Sequence, residues 1–363
     1  MRIVFAGGGT GGHLYPGLAI ARALVRLDPR AEPFFVGAER GVERTILPES
    51  GFPHLLLDLH PLYRARPWEN WRTVRGLARA WRALDREFAR ERPALVVGTG
   101  GYASGAALAW ARTHGVPYAL QEQNGEPGIT TRFFAPDARA VFLGVPEAAE
   151  RLRVRDASVI RRQGNPITPP PEPRPPRAAA RRAWGYSERG VVVLAFGGSQ
   201  GARALNDAIA AWIARGLPDE VDLIWGTGRA SFERYASLRS RRVAVQAYLS
   251  PIADAYAAAD LAITRAGALT LAELCAWGIP SLLVPLPTAA ADHQTSNARA
   301  LERAGAATAL PESELDAARL DERVRALLDP ATRARMSAAA LARARPHAAE
   351  EIAYALLKLV PHA

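Results

Sequence analysis

A single cysteine, Cys275, stands among 363 residues, so neither a disulfide framework nor a cysteine zinc site can be assembled from this chain. Its apolar helical surroundings read it as core rather than as a nucleophile. No uninterrupted apolar run reaches the roughly 18–20 residues needed to span a bilayer. Met1-Arg2 leads straight into the strand-like Ile3-Val4-Phe5-Ala6 with no charged and apolar leader between them, and a cytoplasmic protein is expected. No Gly-Lys-Ser or Gly-Lys-Thr closes any glycine loop, which excludes a P-loop NTPase. Asp-x-Asp, His-Glu-x-x-His and close acidic clusters are missing as well, so no metal site and no cofactor are expected. Basic residues interleaved with aromatics in a known module are also lacking, and nucleic acid is not an expected partner.

What remains is a globular composition, 49% hydrophobic and 23% charged, long enough for two domains. The 46 basic and 36 acidic residues leave a net charge of +10, which favours an anionic partner such as a nucleotide phosphate or a membrane surface. Seven prolines crowd residues 166–176 (Pro166, Pro169, Pro170, Pro171, Pro173, Pro175 and Pro176), where neither helix nor central strand can form. That stretch marks a linker. On both sides, β-branched runs lead into glycine-rich turns and then into helical stretches, the pattern of βαβ units in a parallel sheet. Leu14, Leu18, Ala21 and Val25 share a helical face in the first half, and Leu205, Ile209 and Trp212 do so in the second. The expectation is α/β: two Rossmann-like doubly wound domains, residues 1–163 and 164–346, with a cleft between them. A last helix in 347–363 would brace the first domain.

Four loops carry the chemistry, each where a parallel strand should end, the place at which open α/β sheets bind ligands. They are Gly7-Gly8-Gly9-Thr10-Gly11-Gly12-His13, Gly98-Thr99-Gly100-Gly101-Tyr102, Gly197-Gly198-Ser199-Gln200-Gly201 and Arg265-Ala266-Gly267-Ala268-Leu269-Thr270. Glycines let backbone N–H groups approach a phosphate at a helix start. Gly7, Gly9 and Gly12 meet the dinucleotide spacing by themselves, yet the second strand offers only Glu39, slightly beyond its end, for a ribose. The nicotinamide reading weakens accordingly.

Together and in order, these loops, with Pro16-Gly17-Leu18-Ala19, Glu122-Gln123-Asn124, Gly164-Asn165-Pro166 and Asp292-His293-Gln294-Thr295, resemble the bacterial MurG family over essentially the whole chain. That family consists of the undecaprenyl-pyrophosphoryl-MurNAc-pentapeptide N-acetylglucosaminyltransferases of peptidoglycan synthesis. The resemblance implies a GT-B fold, with UDP-GlcNAc on the C-terminal domain and lipid I, the membrane-bound acceptor, facing the N-terminal one. It implies that Glu273 accepts from the ribose hydroxyls and that Ser199 and the N–H groups of Ala268, Leu269 and Thr270 meet the diphosphate. Backbone at Leu249 would read uracil, and Gln294 with His293 would bind GlcNAc hydroxyls. Thr10, Gly11 and Gly12 of the first glycine loop would bind substrate, and Asn124 would orient the acceptor. One departure is Thr168, which stands where the family usually carries a basic nucleotide contact; Arg161, Arg162 and Arg203 are the cations nearby in sequence or motif.

An α-linked donor giving a β-linked product requires one inversion at C1, with a base for the C4 hydroxyl of MurNAc. His13 is the first candidate, because a helix start keeps a neutral imidazole available; Glu122 is the second. Two other classes fit parts of this pattern: a UDP-GlcNAc epimerase of the same fold, and a non-catalytic UDP-sugar-binding module. Residues 61–92 hold nine arginines against four acidic residues, with Trp68 and Trp71 beside them. Val74, Leu77, Trp81, Leu84 and Phe88 are expected on the apolar face of a helix there, opposite the arginines. Such a stripe points to peripheral docking on the anionic cytoplasmic face of a cell membrane.

Overall fold

The computed structural model describes residues 1–59, 70–198 and 201–360, and of residues 70–74 the backbone alone. The chain forms two units, Met1–Ile167 with His347–Ala363, and Thr168–Pro346. Gly164–Ile167 thus sits with the first unit rather than opening the second. Asn165 is the reason: buried, it accepts from Gln121 Nε2 at 3.3 Å and donates to the Gln123 carbonyl at 3.0 Å, which ties the segment to the end of a central strand.

Unit 1 runs β1 (Arg2–Gly7), α1 (Gly11–Leu27), β2 (Glu32–Ala38), α2 (Glu43–Glu49), β3 (His54–Leu57) and α3 (Asn70–Arg90). It continues with β4 (Leu95–Gly100), α4 (Gly101–Thr113), β5 (Tyr118–Glu122), α5 (Ile129–Phe134), β6 (Ala140–Leu143) and β7 (Ile160–Arg161). Its sheet is ordered β3-β2-β1-β4-β5-β6-β7 with parallel pairings, so the winding reverses between β1 and β4. Unit 2 runs α6 (Arg177–Ala183), β8 (Val191–Phe196), α7 (Arg203–Arg215), β9 (Val221–Gly226), α8 (Phe232–Tyr235), β10 (Val243–Gln246) and α9 (Ile252–Ala258). Then follow β11 (Leu261–Thr264), α10 (Ala268–Trp277), β12 (Ser281–Leu283), α11 (His293–Arg303), β13 (Ala307–Ala309), α12 (Ala317–Ala326) and α13 (Pro330–Arg343). Its order β10-β9-β8-β11-β12-β13 is again parallel and reverses between β8 and β11.

The central strands of both sheets are buried on each side, as helices covering both faces require. Phe196, Leu205, Ile209, Trp212 and Trp225 anchor unit 2. In unit 1, the last helix, α14 (Ala348–Leu357), lays Ile352, Ala353 and Leu356 against Leu14, Leu18 and Leu24 of α1. Two sequence expectations are corrected here. On α1, Leu24 takes the inward place expected for Val25, which is 38% exposed. On α3, the inward stripe is Gly76, Ala80, Leu84 and Phe88 with Trp81 half-buried, whereas Leu77 is 46% exposed. Small residues at 76 and 80 let the helix approach the layer below, and that approach turns the neighbouring Leu77 outward. Val74, Trp68 and Trp71 lie outside the residues whose side chains are described. Cys275 is buried and its thiol is pushed up to about 11 by desolvation, so it is core.

Candidate active site

The glycine loops fall pairwise at the two reversal points. In unit 1, the loops after β1 and β4 face each other and place His13. Thr10 is the N-cap of α1, with Gly11 and Gly12 opening the first turn. His13 Nδ1 stands 3.2 Å from the Gly8 carbonyl and 3.4 Å from Thr10 Oγ1. A carbonyl oxygen can only accept, so Nδ1 carries the proton and Nε2 is left in the acceptor form. Gly100 seals the far side: at φ 103° and with a Cβ position 2.7 Å from His13 Cδ2, it has room for no side chain.

Glu122 ends β5 two strands away from β1. Its Oε1 accepts from the Asn124 N–H at 3.1 Å and from Asn124 Nδ2 at 3.3 Å, and its Oε2 from the Gly128 N–H at 3.0 Å and Thr131 Oγ1 at 2.6 Å. Four donors on one buried carboxylate make Glu122 the fastener of the 122–131 loop, and Asn124 is held by it. His13, with Nε2 in the acceptor form, and Glu122, with both oxygens accepting, thus both lie in unit 1.

In unit 2, the reversal point between β8 and β11 faces the start of α10. Within that helix, carbonyl partners begin with the Leu271 N–H, which donates to Gly267 at 3.0 Å, so the peptides of Ala268, Leu269 and Thr270 form the positive end. One turn in, Glu273 Oε2 accepts from the Tyr256 hydroxyl at 2.8 Å, and burial raises its carboxyl above the usual 4.5. Leu249, nearly buried, packs over the end of β9 at Gly226 and precedes α9, which carries Tyr256. Gln294 is fixed through its oxygen, which accepts from the N–H groups of Ala266 at 3.1 Å and Leu286 at 3.0 Å. Its amide therefore offers donors only. Beside it, His293 Nδ1 donates to the Ala290 carbonyl at 2.7 Å, after two successive residues, Ala291 and Asp292, in the left-handed region at φ 52°. Non-glycine residues held there cost about 1–3 kcal/mol each, a strain that marks a shaped loop.

Thr168 is exposed at the first position of unit 2, Arg203 is exposed in the first turn of α7, and Arg161 and Arg162 belong to unit 1. Ser199 and Gln200 lie outside the described residues. Sequence reasoning did not single out Tyr256 or Asn297, the buried amide that donates to the Ala266 carbonyl at 3.2 Å. Both act from helices remote in sequence from the loops they steady, and no local spacing announces them.

Two doubly wound parallel units, each turning glycine loops and a helix start toward its reversal point, define the GT-B class of glycosyltransferases. Residues 3–143 match the glycosyltransferase family 28 N-terminal domain and residues 192–352 its C-terminal domain. The chain is 40% identical to the UDP-N-acetylglucosamine--N-acetylmuramyl-(pentapeptide) pyrophosphoryl-undecaprenol N-acetylglucosamine transferase of Moorella thermoacetica, covering 99% of each. It is also 40% identical to the transferase of the same description from Salinibacter ruber, covering 98% of this chain and 96% of that one. The crystal structure of Acinetobacter baumannii MurG matches with a TM-score of 0.78 at 26% identity, covering 98% of this chain and 99% of that one. The crystal structure of a UDP-N-acetylglucosamine 2-epimerase, at 14% identity and a TM-score of 0.64, covering 99% of this chain and 96% of that one, shares the fold alone. The chain belongs to the MurG family.

Proposed function

We propose that this protein transfers GlcNAc from UDP-GlcNAc to the C4 hydroxyl of MurNAc in undecaprenyl-pyrophosphoryl-MurNAc-pentapeptide, converting lipid I to lipid II with inversion at C1. What carries this reading is membership of a transferase family over both units, together with a base-competent imidazole at one reversal point and a helix start with a carboxylate at the other. Unit 2 takes the donor. The peptides at 268–270, with Ser199, receive the diphosphate; Glu273 receives the ribose hydroxyls; backbone at Leu249 reads uracil; Gln294 donates to a sugar hydroxyl, with His293 beside it. Thr168 supplies a hydroxyl where a cation is usual in the family.

In the reaction, the C4 oxygen of MurNAc forms a bond to C1 of GlcNAc while the bond from C1 to the diphosphate oxygen breaks and its electron pair leaves with UDP. The hydroxyl proton passes to His13 Nε2, and the positive end of α10 steadies the charge that develops on UDP. Asn124 orients the acceptor. UDP release from UDP-GlcNAc, measured with and without lipid I, tests the proposal: acceptor-dependent release with formation of the disaccharide lipid is expected. Release or epimerised sugar nucleotide without acceptor would replace the transferase reading with a hydrolase or an epimerase.

An acceptor carried on a lipid calls for work at a membrane surface, and α3 offers a surface that suits one. Among the described residues no helix is long and apolar enough to cross a membrane. Arg75, Arg79, Arg82, Arg86 and Arg90 are all exposed along α3, with Leu77 beside them. At about 1 kcal/mol per basic residue near an anionic leaflet, a few engaged arginines suffice for peripheral recruitment to the cytoplasmic face. Co-sedimentation should show binding to anionic but not zwitterionic vesicles, weakened by salt and by Arg75→Glu with Arg79→Glu. Binding indifferent to lipid charge and to those substitutions would remove α3 from the interface.

A further inference from the structure

One buried carboxylate has no part in the chemistry so far. Glu43 opens α2 and is wholly buried beneath the first glycine loop. Its Oε1 accepts from the Gly9 N–H at 2.5 Å, while Oε2, equally buried, has no hydrogen-bond partner among the described residues. A Cβ at Gly8 would stand 2.5 Å from Glu43 Oε1, so the approach depends on residue 8 having none. Desolvation raises the carboxyl pKa, and among the described residues no cation is paired with it to repay the burial. A group kept at such a cost is a candidate for function.

The geometry says which function. Gly8 C=O and Gly9 N–H are the two ends of a single peptide plane. Glu43 holds the N–H end, and His13 Nδ1 donates to the C=O end at 3.2 Å. We infer that Glu43 is a positioning residue that acts on His13 through the Gly8–Gly9 peptide, in the order carboxylate, N–H, C=O, imidazole Nδ1–H. An acceptor on an amide N–H polarises the amide and strengthens its carbonyl as an acceptor. A stronger acceptor at Nδ1 fixes the tautomer and makes Nε2 more basic, the service that a carboxylate performs directly when it touches a catalytic or metal-binding histidine. Here a peptide is interposed, so the carboxyl group stays buried and away from the substrate side of the ring. The inference rests on the role proposed for His13 above.

The other titratable groups around Glu43 are Tyr102 on α4, whose hydroxyl is pushed up by burial and by Glu43, and Arg40 on the turn before α2, which draws that hydroxyl down. The loop after β1 brings His13, and β4 faces the cluster with the uncharged Thr99.

The test uses the full chain with ¹⁵N-labelled histidine, the His13 signal being identified by its loss in His13→Ala. In the wild type the neutral ring should be protonated at Nδ1; protonation at Nε2 overturns the inference whatever the variants do. Glu43→Gln should lower the proton affinity of His13 about tenfold. The acid limb of kcat should move down by the same factor, with KM for UDP-GlcNAc unchanged because the donor sits on unit 2. A residue that merely holds the loop would lower the folded fraction without moving either titration, and an unmoved His13 titration sinks the relay. If Glu43→Gln does not fold, Glu43→Asp, which keeps the charge but withdraws it from Gly9, should shift His13 the same way. A His13 titration that moves while the kcat limb stays put would leave the relay standing and remove His13 as the base.

Discussion

His13→Ala is expected to lower kcat by about 10²–10⁴-fold while KM for UDP-GlcNAc stays near the wild-type value, the range for loss of a general base. The split between the two constants follows from where the groups are. His13 is set by the Gly8 carbonyl and the loop before α4, all within unit 1, whereas the donor contacts proposed here belong to unit 2. Steady-state kinetics with lipid I or a soluble analogue would check it. An effect confined to KM would make His13 a binding residue. Glu122→Gln offers the contrast: with its oxygens bonded to Asn124, Gly128 and Thr131, its loss should disturb the acceptor loop and raise the acceptor KM.

Glu273→Ala should weaken donor binding most. A hydrogen bond to a charged group contributes about 1.5–3 kcal/mol, so removing each ribose hydrogen bond raises KM for UDP-GlcNAc by about 10- to 100-fold. The substitution also strands the buried Tyr256 hydroxyl. Acid should mimic it. Because burial raises the Glu273 pKa above 4.5, its carboxylate is lost, as pH falls, sooner than an ordinary glutamate would be. Calorimetric titration with UDP should therefore show affinity falling more steeply on acidification in the wild type than in Glu273→Ala, the protonation of the terminal phosphate of UDP being common to both. Equal affinity of the two proteins for UDP at neutral pH would sink the assignment.

Much of this was legible in one dimension because parallel sheets write themselves locally. Val191–Phe196 is a run of apolar residues followed by glycines, and only a buried strand ending in a tight turn uses that pattern. The glycine loops are legible for the same reason, each opening at a strand end and the first closing on His13, whereas Glu273 and Gln294 are singled out by the family resemblance alone. What stayed hidden depends on side-chain pairings, within a loop or between elements. The four donors that commit Glu122 to its loop, the Tyr256 hydroxyl on Glu273 and the Gly9 N–H on Glu43 join residues whose pairing no local period encodes. The misplacement of Leu77 has a similar origin, since the helical period alone cannot tell which of two adjacent stripes meets the layer beneath.

The return of α14 to unit 1 sets an order of events during synthesis. Ile352, Ala353 and Leu356 complete the apolar layer around Leu14, Leu18 and Leu24, so the unit whose strands leave the ribosome first lacks part of its core until the final segment follows. Unit 2, made from the uninterrupted stretch 168–346, carries all its own layers and can close earlier. Domains usually fold from the amino end as they emerge. Here the nascent chain must instead hold an unfinished first unit, with one face of α1 uncovered, through the whole translation of the second, and for that interval the protein is most dependent on whatever shields apolar surface in the cell.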